Sequence, residues 1–218
     1  ESDARALAES LTAVGRETGL KTAARLTDMN QPLGRMVGNA VEVNEAVASL
    51  KGDGPSDLLE LTLALGGELL ILAGAAGNIE EAQRRLHGAL ASGAAYEKFR
   101  EMVAAQGGDL SQHRPVAPAT DVVAKTDGFI TAMDCEAIGQ SVVILGGGRW
   151  QVTDRIDYAV GLEMCVRIGD EVSAGQPLLR LFASEIAAEK VRDTLQEAIV
   201  IGPERPPLPP LFIDRIVP

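Results

Sequence analysis

The stretch Thr27–Ala46, TDMNQPLGRMVGNAVEVNEA, is the most informative part of this chain because it joins a turn, a helix start and two carboxylates. Its first half holds four turn-forming residues, Asp28, Asn30, Pro32 and Gly34. Such residues favour loops through their restricted or permissive backbones and their local hydrogen bonds. We therefore predict a loop that follows a short strand ending near Leu26. This arrangement indicates one wall of an active site, not a whole site.

The second half of the stretch predicts a helix from about Ala40 to Leu50, with Asn39 as its cap. Glu42 and Glu45 then lie near the helix N-terminus. Two roles are open for these acids: they complement the helix dipole and do nothing more, or they serve the loop that precedes them.

The overall composition is that of a globular protein. The chain has 218 residues, 46% of them hydrophobic, enough for one large or two small domains with real cores. The formal charge of -11 argues against a nucleic-acid or acidic-lipid partner, because phosphates would be repelled. No apolar stretch reaches about 18 residues. The closest, Leu61–Ala76, is interrupted by two glycines and Glu68 and predicts a buried helix.

Residues 1–110 predict the C-terminal part of an α/β domain with a long helical stretch. A first helix runs from Ser2 to about Thr18, and the chain after it predicts one strand of a βαβ-type unit. Later helices are predicted to begin at a Ser56 cap, at an Asn78 cap with Glu81 three residues on, and at Ala94.

Residues 111–120 contain two prolines and predict a linker. Residues 121–218 predict a small α+β domain of short strands between glycines, a helix and an extended proline-rich tail. The predicted strands are 121–124, 128–130, 141–145, 150–153 and 177–181, and the predicted helix is 184–199.

The motifs TDMNQPLG, GNAVEV and NEAV, followed by Gly54–Leu58, closely resemble the thymidine and pyrimidine-nucleoside phosphorylases. The resemblance continues in Met102–Gly107, Leu145–Arg149, Asp154–Gly161 and Gly169–Val172. It implies an α/β phosphorylase domain followed by a small β-rich domain of the hammerhead or barrel-sandwich type.

Members of this family carry Lys-His-Ser-Thr-Gly-Gly and Ser-Lys-Lys segments, which hold phosphate and pyrimidine, N-terminal to the TDMNQPLG motif. Neither segment occurs here. We therefore expect the C-terminal half of a longer enzyme, with its N-terminal segment as partner and no catalytic residue in this chain.

The implied reaction is that of a pentosyltransferase: thymidine and inorganic phosphate give thymine and 2-deoxy-α-D-ribose 1-phosphate. The resemblance further implies a cytoplasmic homodimer without an organic cofactor. Two alternatives stay open, a broad pyrimidine-nucleoside phosphorylase and a non-catalytic binding or structural module.

The resemblance also implies a potassium-like site made by the Glu45 carboxylate and the backbone carbonyls of Leu33 and Met36. A carboxylate with carbonyl oxygens suits a hard cation of low charge, which could brace a phosphate loop. The alternative is that Glu45 is only a helix acid.

Other candidate sites are weaker. Val166–Leu178 is similar to the hairpin core of biotinyl and lipoyl carrier domains, but the attachment lysine is absent and Lys190 falls in a predicted helix. Gly146–Gly148 predicts a tight turn rather than a phosphate loop, because a strand is predicted after it. We expect Arg149 to be a salt-bridge or packing residue, and Asp154 and Asp157 to be turn residues. His87 and His113 are expected at the surface, and Cys135 and Cys165 as free thiols.

Overall fold

The computed structural model describes residues 1–217 and contains helices and antiparallel sheets. The helices are α1 (Ser2–Glu17), α2 (Ala40–Leu50), α3 (Ser56–Leu72), α4 (Ile79–Ala91), α5 (Ala94–Ala105), α6 (Cys135–Ile144) and α7 (Glu185–Glu197). The strands are β1 (Ala24–Thr27), β2 (Met36–Gly38), β3 (Ala119–Val123), β4 (Gly128–Met133), β5 (Gly161–Met164), β6 (Glu171–Val172), β7 (Pro177–Phe182), β8 (Ile199–Gly202) and β9 (Phe212–Ile216).

The strands form three sheets in this part of the chain: β1-β9, β2-β5-β7-β3 and β6-β4-β8. Every strand pair within residues 1–217 is antiparallel. The predicted βαβ-type unit is therefore wrong for the described residues: β1 pairs with the C-terminal strand β9, which the local sequence around β1 could not indicate.

The main hydrophobic core lies between the sheets of the C-terminal region and the helices α6 and α7. Leu162, Leu178, Leu181 and Leu195 are fully buried in it. Burying one such leucine contributes about 1.5–3 kcal/mol. This core holds the part of the chain whose residues Arg167 and Ile168 contact the N-terminal region.

Strands from the two sides of the predicted linker share sheets. Strand β2 pairs with β5, and β1 pairs with β9. The close approach of β2 requires a glycine at 161, since a Cβ there would lie 2.7 Å from the Val41 Cγ2 atom and 2.9 Å from the Val37 carbonyl oxygen. The division into residues 1–110, a linker at 111–120 and residues 121–218 stays a prediction.

The segment predicted as a strand at 141–145 belongs to helix α6, so this prediction was wrong. Its Val-Val-Ile run is typical of strands, but Ile138, Ser141, Val142 and Leu145 are all buried and share one helical face. The Asp134 side chain caps the helix by accepting from the Ala137 N–H. Burial of that face, together with the cap, overrides the β propensity.

The predicted strand at 150–153 is also wrong. The Asp154 carboxylate accepts the N–H groups of Trp150 and Gln151, at 3.0 and 2.9 Å, and closes a turn. This confirms Asp154 as a turn residue. The preceding Gly146–Gly148 segment is a turn as predicted, although it ends a helix rather than a strand.

The carrier-like segment 166–178 does not form a hairpin. Strand β6 pairs with β4, whereas β7 pairs with β3 and β5, so the two strands lie in different sheets. Lys190 lies in α7, as predicted, and Ser184 caps that helix.

Of the three helix caps predicted from the sequence, one is confirmed and two are wrong. The Asn78 side chain accepts from the Glu81 N–H at 2.9 Å, which confirms this cap. Ser56 is instead the first residue of α3, preceded by Pro55. Asn39 occupies the cap position of α2, but its side chain donates to the Gly147 carbonyl, so its predicted capping bond was wrong.

Helix α3 is less buried than its leucine content predicts. Its buried residues are Gly67 and Glu68, whereas Leu65 and Leu69 are 44% and 66% exposed. The prediction of a buried helix was therefore wrong for residues 1–217. Among the helices described, none combines the length and apolar character that a membrane crossing would need.

Candidate functional site

The predicted loop at 28–35 is present and is anchored at its start. The Asp28 side chain accepts from the Asn30 N–H at 3.1 Å, an Asx turn, and the Asp28 N–H donates to the Leu211 carbonyl at 3.0 Å. The C-terminal tail, extended as predicted, thus holds one end of the loop through β9 and the residue before it.

Glu45 turns back onto the loop. Its carboxylate accepts the N–H groups of Arg35 and Met36, at 2.9 and 3.4 Å. Gly34 has a φ of 68° and faces this carboxylate so closely that a Cβ would lie 2.5 Å from Oε2. Glu45 is the sixth residue of α2, beyond the first turn where the dipole effect is felt, so the loop contact is its main role.

Glu42 has a different partner. Its carboxylate accepts the Gly38 N–H at 2.9 Å, just before the helix. It therefore holds the last backbone donor of β2, one residue before the cap position Asn39, and the choice between its two predicted roles stays open.

Arg167, a residue that sequence reasoning did not select, holds the other side of the loop. Its Nη1 atom donates to the carbonyl oxygens of Pro32 and Gly34, at 2.6 and 2.8 Å. Its Nη2 atom pairs with the Asp57 carboxylate, which also accepts the Gly34 N–H at 3.1 Å. No spacing signal marks Arg167, because its partners are distant in the chain.

Two further bonds bring the C-terminal region against the loop. The Ile168 N–H donates to the Gln31 side chain at 3.1 Å, and the Met164 N–H donates to the Arg35 carbonyl at 2.7 Å. Residues 31–36 thus lie between α2 on one side and the chain around 164–168 on the other.

Of the three predicted cation ligands, Glu45 contacts the backbone of Met36, but through the Met36 N–H and not through its predicted carbonyl oxygen. No described residue donates to the carbonyl of Leu33. Whether the two carbonyl oxygens and the carboxylate surround one ion stays a prediction.

A cavity of about 360 Å³ adjoins Met36 and Glu45, and Leu33 is not among its lining residues. Three of its lining side chains carry oxygen atoms, one is the cationic Arg35, and the others are apolar. The oxygen-bearing ones are Asn44, Glu45 and Asp53, and the apolar ones are Met36, Val41, Ala48, Pro55, Val116 and Phe182. Oxygen donors of this kind fit a hard monovalent cation. No cluster of three or more His, Cys, Asp or Glu side chains suited to a metal is found in residues 1–217.

A second charged cluster fastens the tail to α3. Glu68, 5% exposed, accepts from Arg25 at 2.7 Å and from Arg215 at 2.5 and 2.9 Å. The hydrogen bond from Arg215 is the largest cause that lowers the pKa of the Glu68 carboxyl. The Arg25 guanidinium also lies 5.4 Å from the ring centre of Phe212. The cluster has a structural role, since it joins β1, α3 and β9 through one buried carboxylate.

The remaining candidates are unremarkable. His87 and His113 are exposed, as predicted, and both cysteines are free thiols. Burial is the main cause that raises the pKa of each thiol. Arg149 is exposed and forms no ion pair within residues 1–217, so its predicted salt-bridge or packing role is wrong.

Comparison with known proteins agrees with this architecture. Residues 1–96 match the family described as "Glycosyl transferase family, a/b domain", and residues 129–202 match "Pyrimidine nucleoside phosphorylase C-terminal domain". The chain therefore contains part of a glycosyl-transferase a/b domain followed by the C-terminal domain of a nucleoside phosphorylase.

Similarity to individual proteins covers nearly the whole chain. It is 38% identical to the pyrimidine-nucleoside phosphorylase of Geobacillus stearothermophilus and 39% identical to that of Staphylococcus aureus strain USA300, over 99% of this chain and 51% of each relative. The chain belongs to the pyrimidine-nucleoside phosphorylase family. It spans about half the length of the curated relatives it matches.

Proposed function

We propose that this chain, together with an upstream segment of the same enzyme, catalyses phosphorolysis of a pyrimidine nucleoside. We call that assembly the complete enzyme. Phosphate would attack the anomeric carbon of the sugar, the bond to the base nitrogen would break, and the products would be the base and a pentose 1-phosphate. The observation that carries the proposal is the order of the two family matches along a chain similar throughout to such phosphorylases.

In this proposal the chain supplies the wall of the active site made by residues 27–46. Binding phosphate and base side by side, and stabilising charge on the departing base, are positioning and electrostatic tasks that need no organic cofactor. The chain carries a net charge of -11, so we propose that the basic groups that bind phosphate lie on the upstream segment.

The substrate range has two candidates. Thymidine is the sequence prediction, with thymine and 2-deoxy-α-D-ribose 1-phosphate as products. The name shared by the relatives, pyrimidine-nucleoside phosphorylase, favours a broader range that includes uridine. Measuring kcat/KM for both nucleosides with the complete enzyme decides between them: comparable values support the broad range, and a ratio above about a hundredfold, roughly 2.7 kcal/mol, supports thymidine alone.

The role of the upstream segment is tested by base release from nucleoside and phosphate. We expect none from this chain alone and turnover after the upstream segment is added, with intact mass recorded on both samples. Turnover by the 218-residue chain alone would overturn the placement of the catalytic groups. A failure to restore turnover under conditions where both pieces associate would favour a non-catalytic module.

We further propose a potassium ion held by Glu45 and the carbonyls of Leu33 and Met36. Support comes from the orientation of Glu45 toward the loop and from the cavity beside it, whose lining includes the side-chain oxygens of Asn44, Glu45 and Asp53. The ion would supply positive charge that braces the loop. We expect Glu45→Ala to lose potassium dependence, with the exposed Glu60→Ala on α3 as matched control. Full retention of potassium dependence in Glu45→Ala would rule the site out.

The proposed assembly is a cytoplasmic homodimer of the complete enzyme. Light scattering coupled to size-exclusion chromatography measures its mass. A monomer that retains full activity at all concentrations would contradict the dimer.

A further inference from the structure

We propose that Arg167 is a positioning residue that sets the conformation of loop 31–36 and thereby the affinity of the cation site. The inference rests on the proposed function, because it concerns the cation site of that enzyme. It assigns a function to a residue outside the wall at 27–46, in the C-terminal region of the chain.

The geometry of Arg167 suits this role. A guanidinium offers five donors in a rigid plane, so one side chain can hold several acceptors in a fixed relation. Here it holds the carbonyl oxygens of Pro32 and Gly34, the residues before and after Leu33. Lysine could not reproduce this pattern, since its ammonium group has no planar fork.

Asp57 completes the arrangement. Its carboxylate pairs with Arg167 and accepts the Gly34 N–H, so both polar backbone groups of Gly34 are held. The side chains of Arg167 and Asp57 are 31% and 24% exposed, and the pair is therefore shielded in part from solvent. The negative charge of Asp57 also offsets the positive charge that Arg167 brings near a cation.

The cation site depends on which carbonyl oxygens of the loop already accept a hydrogen bond. The carbonyls of Pro32, Gly34 and Arg35 each accept a bond from the C-terminal region, whereas no described residue donates to the carbonyl of Leu33. On the other side of the loop, Glu45 holds the N–H groups that follow Gly34. Arg167 and Glu45 together fix the backbone so that the Leu33 carbonyl stays available to a cation.

The test uses the complete enzyme with KCl replaced by choline chloride at constant ionic strength. Arg167→Met removes the donors at similar length, and Arg167→Lys keeps the charge without the fork. Arg180→Met is the matched control, because Arg180 pairs with Asp121 and Glu163 on the same face of the C-terminal sheet and contacts no loop carbonyl. Two quantities are measured without substrate: the potassium-dependent rise in Tm and the hydrogen exchange of peptides spanning 31–36.

We expect the potassium concentration for half of the Tm rise to increase about 10–100-fold in Arg167→Met, the range typical when a residue that orients a metal ligand is lost. Arg167→Lys should fall between Arg167→Met and wild type, and Arg180→Met should match wild type. At saturating potassium, kcat should return to within about threefold of wild type, because Arg167 acts through the loop and not on the reacting atoms. Exchange of the 31–36 amides should increase in Arg167→Met alone.

Three outcomes would overturn the inference: an unchanged potassium midpoint, unchanged hydrogen exchange at 31–36, or a kcat that stays low at saturating potassium although the midpoint is normal.

Failure of the proposed function gives different results. If the wild-type complete enzyme shows no phosphorolysis, the activity proposal fails, and the exchange measurement still decides whether Arg167 orders the loop. If the wild-type complete enzyme is active but its Tm does not change with potassium concentration, both the cation site and the inference about Arg167 fail.

Discussion

Replacing Glu68 by glutamine tests the buried charge cluster that joins the tail to α3. The change keeps the shape of the side chain but removes the negative charge between two guanidinium groups. Arg25, with a side chain 18% exposed, would then lie next to Arg215 without a counter-charge. The Arg25 Nε atom already has no hydrogen-bond partner among residues 1–217, so the site has little capacity to absorb the loss.

The magnitude follows from the exposure of the partners. Breaking a buried ion pair by removing one partner costs about 3–5 kcal/mol. The Arg215 side chain is 45% exposed and can be hydrated, so we reduce the expected loss in free energy of unfolding to about 2–4 kcal/mol. For a chain of this size that corresponds to a fall in Tm of roughly 4–16 °C.

Urea denaturation at pH 7 measures the effect, with Arg215→Gln and the double variant completing a mutant cycle. The double variant should lose less than the sum of the two single variants, because the residues interact directly. Glu101→Gln on α5 is the matched control: its Lys98 pair is fully at the surface, with side chains 62% and 78% exposed, and little measurable change is expected. A loss below about 1 kcal/mol for Glu68→Gln would refute the reasoning.

The pH dependence supplies a second check on the same cluster. Because Arg215 lowers the pKa of Glu68 in the folded state, the ionised carboxylate stabilises the protein at every pH above the unfolded carboxyl pKa of about 4.3. That contribution is lost as the pH falls below this value and through the lowered folded pKa. The difference between wild type and Glu68→Gln should thus be constant from about pH 6 to 8 and shrink below about pH 4. If the difference in free energy of unfolding between wild type and Glu68→Gln grows on acidification, the lowered pKa of Glu68 is contradicted.

Three smaller predictions concern local features. Asn78→Ala should lower the free energy of unfolding by about 1 kcal/mol through loss of the α4 cap, seen as a lower urea midpoint with an unchanged slope. Gly161→Ala should cost about 1–3 kcal/mol, because the new Cβ meets Val41 and the β2 backbone. The control is Gly139→Ala inside α6, where a Cβ meets nothing within 4 Å; it should not destabilise and should gain up to about 1 kcal/mol from helix propensity. Both cysteine thiols should react with a disulfide reagent more slowly than free cysteine at pH 7.5, because their raised pKa lowers the thiolate fraction. Rates equal to free cysteine would contradict that shift.

Local sequence signals succeeded where the partners lie within one turn of each other. The Asn78 cap needs only the N–H three residues later, and the turn residues of the 28–35 loop act on their immediate neighbours. The motif resemblance succeeded for a related reason, since long ordered motifs carry family identity directly. It correctly indicated the phosphorylase family and the succession of an a/b and a C-terminal domain.

Local signals failed where burial decided the structure. The run at 141–145 has β-branched residues and no period of its own, so its helical form depends on the core that receives Ile138 and Val142. The leucines of α3 show the opposite error, because burial was predicted where the structure leaves side chains exposed. A high leucine content does not indicate which face of a helix packs against another element. Neither outcome can be read from a short window of sequence.

The sequence by itself therefore determined the family, the loop at 28–35 and most helices, because these depend on neighbours in the chain or on motif identity. Only the tertiary structure placed Arg167 on the carbonyl of Gly34, 133 residues away, and Arg215 on Glu68, 147 residues away. Such pairs depend on how the core of the C-terminal region positions its strands against the N-terminal region. No spacing rule encodes them, since the free energy that brings them together comes from burial of apolar side chains spread over the whole chain.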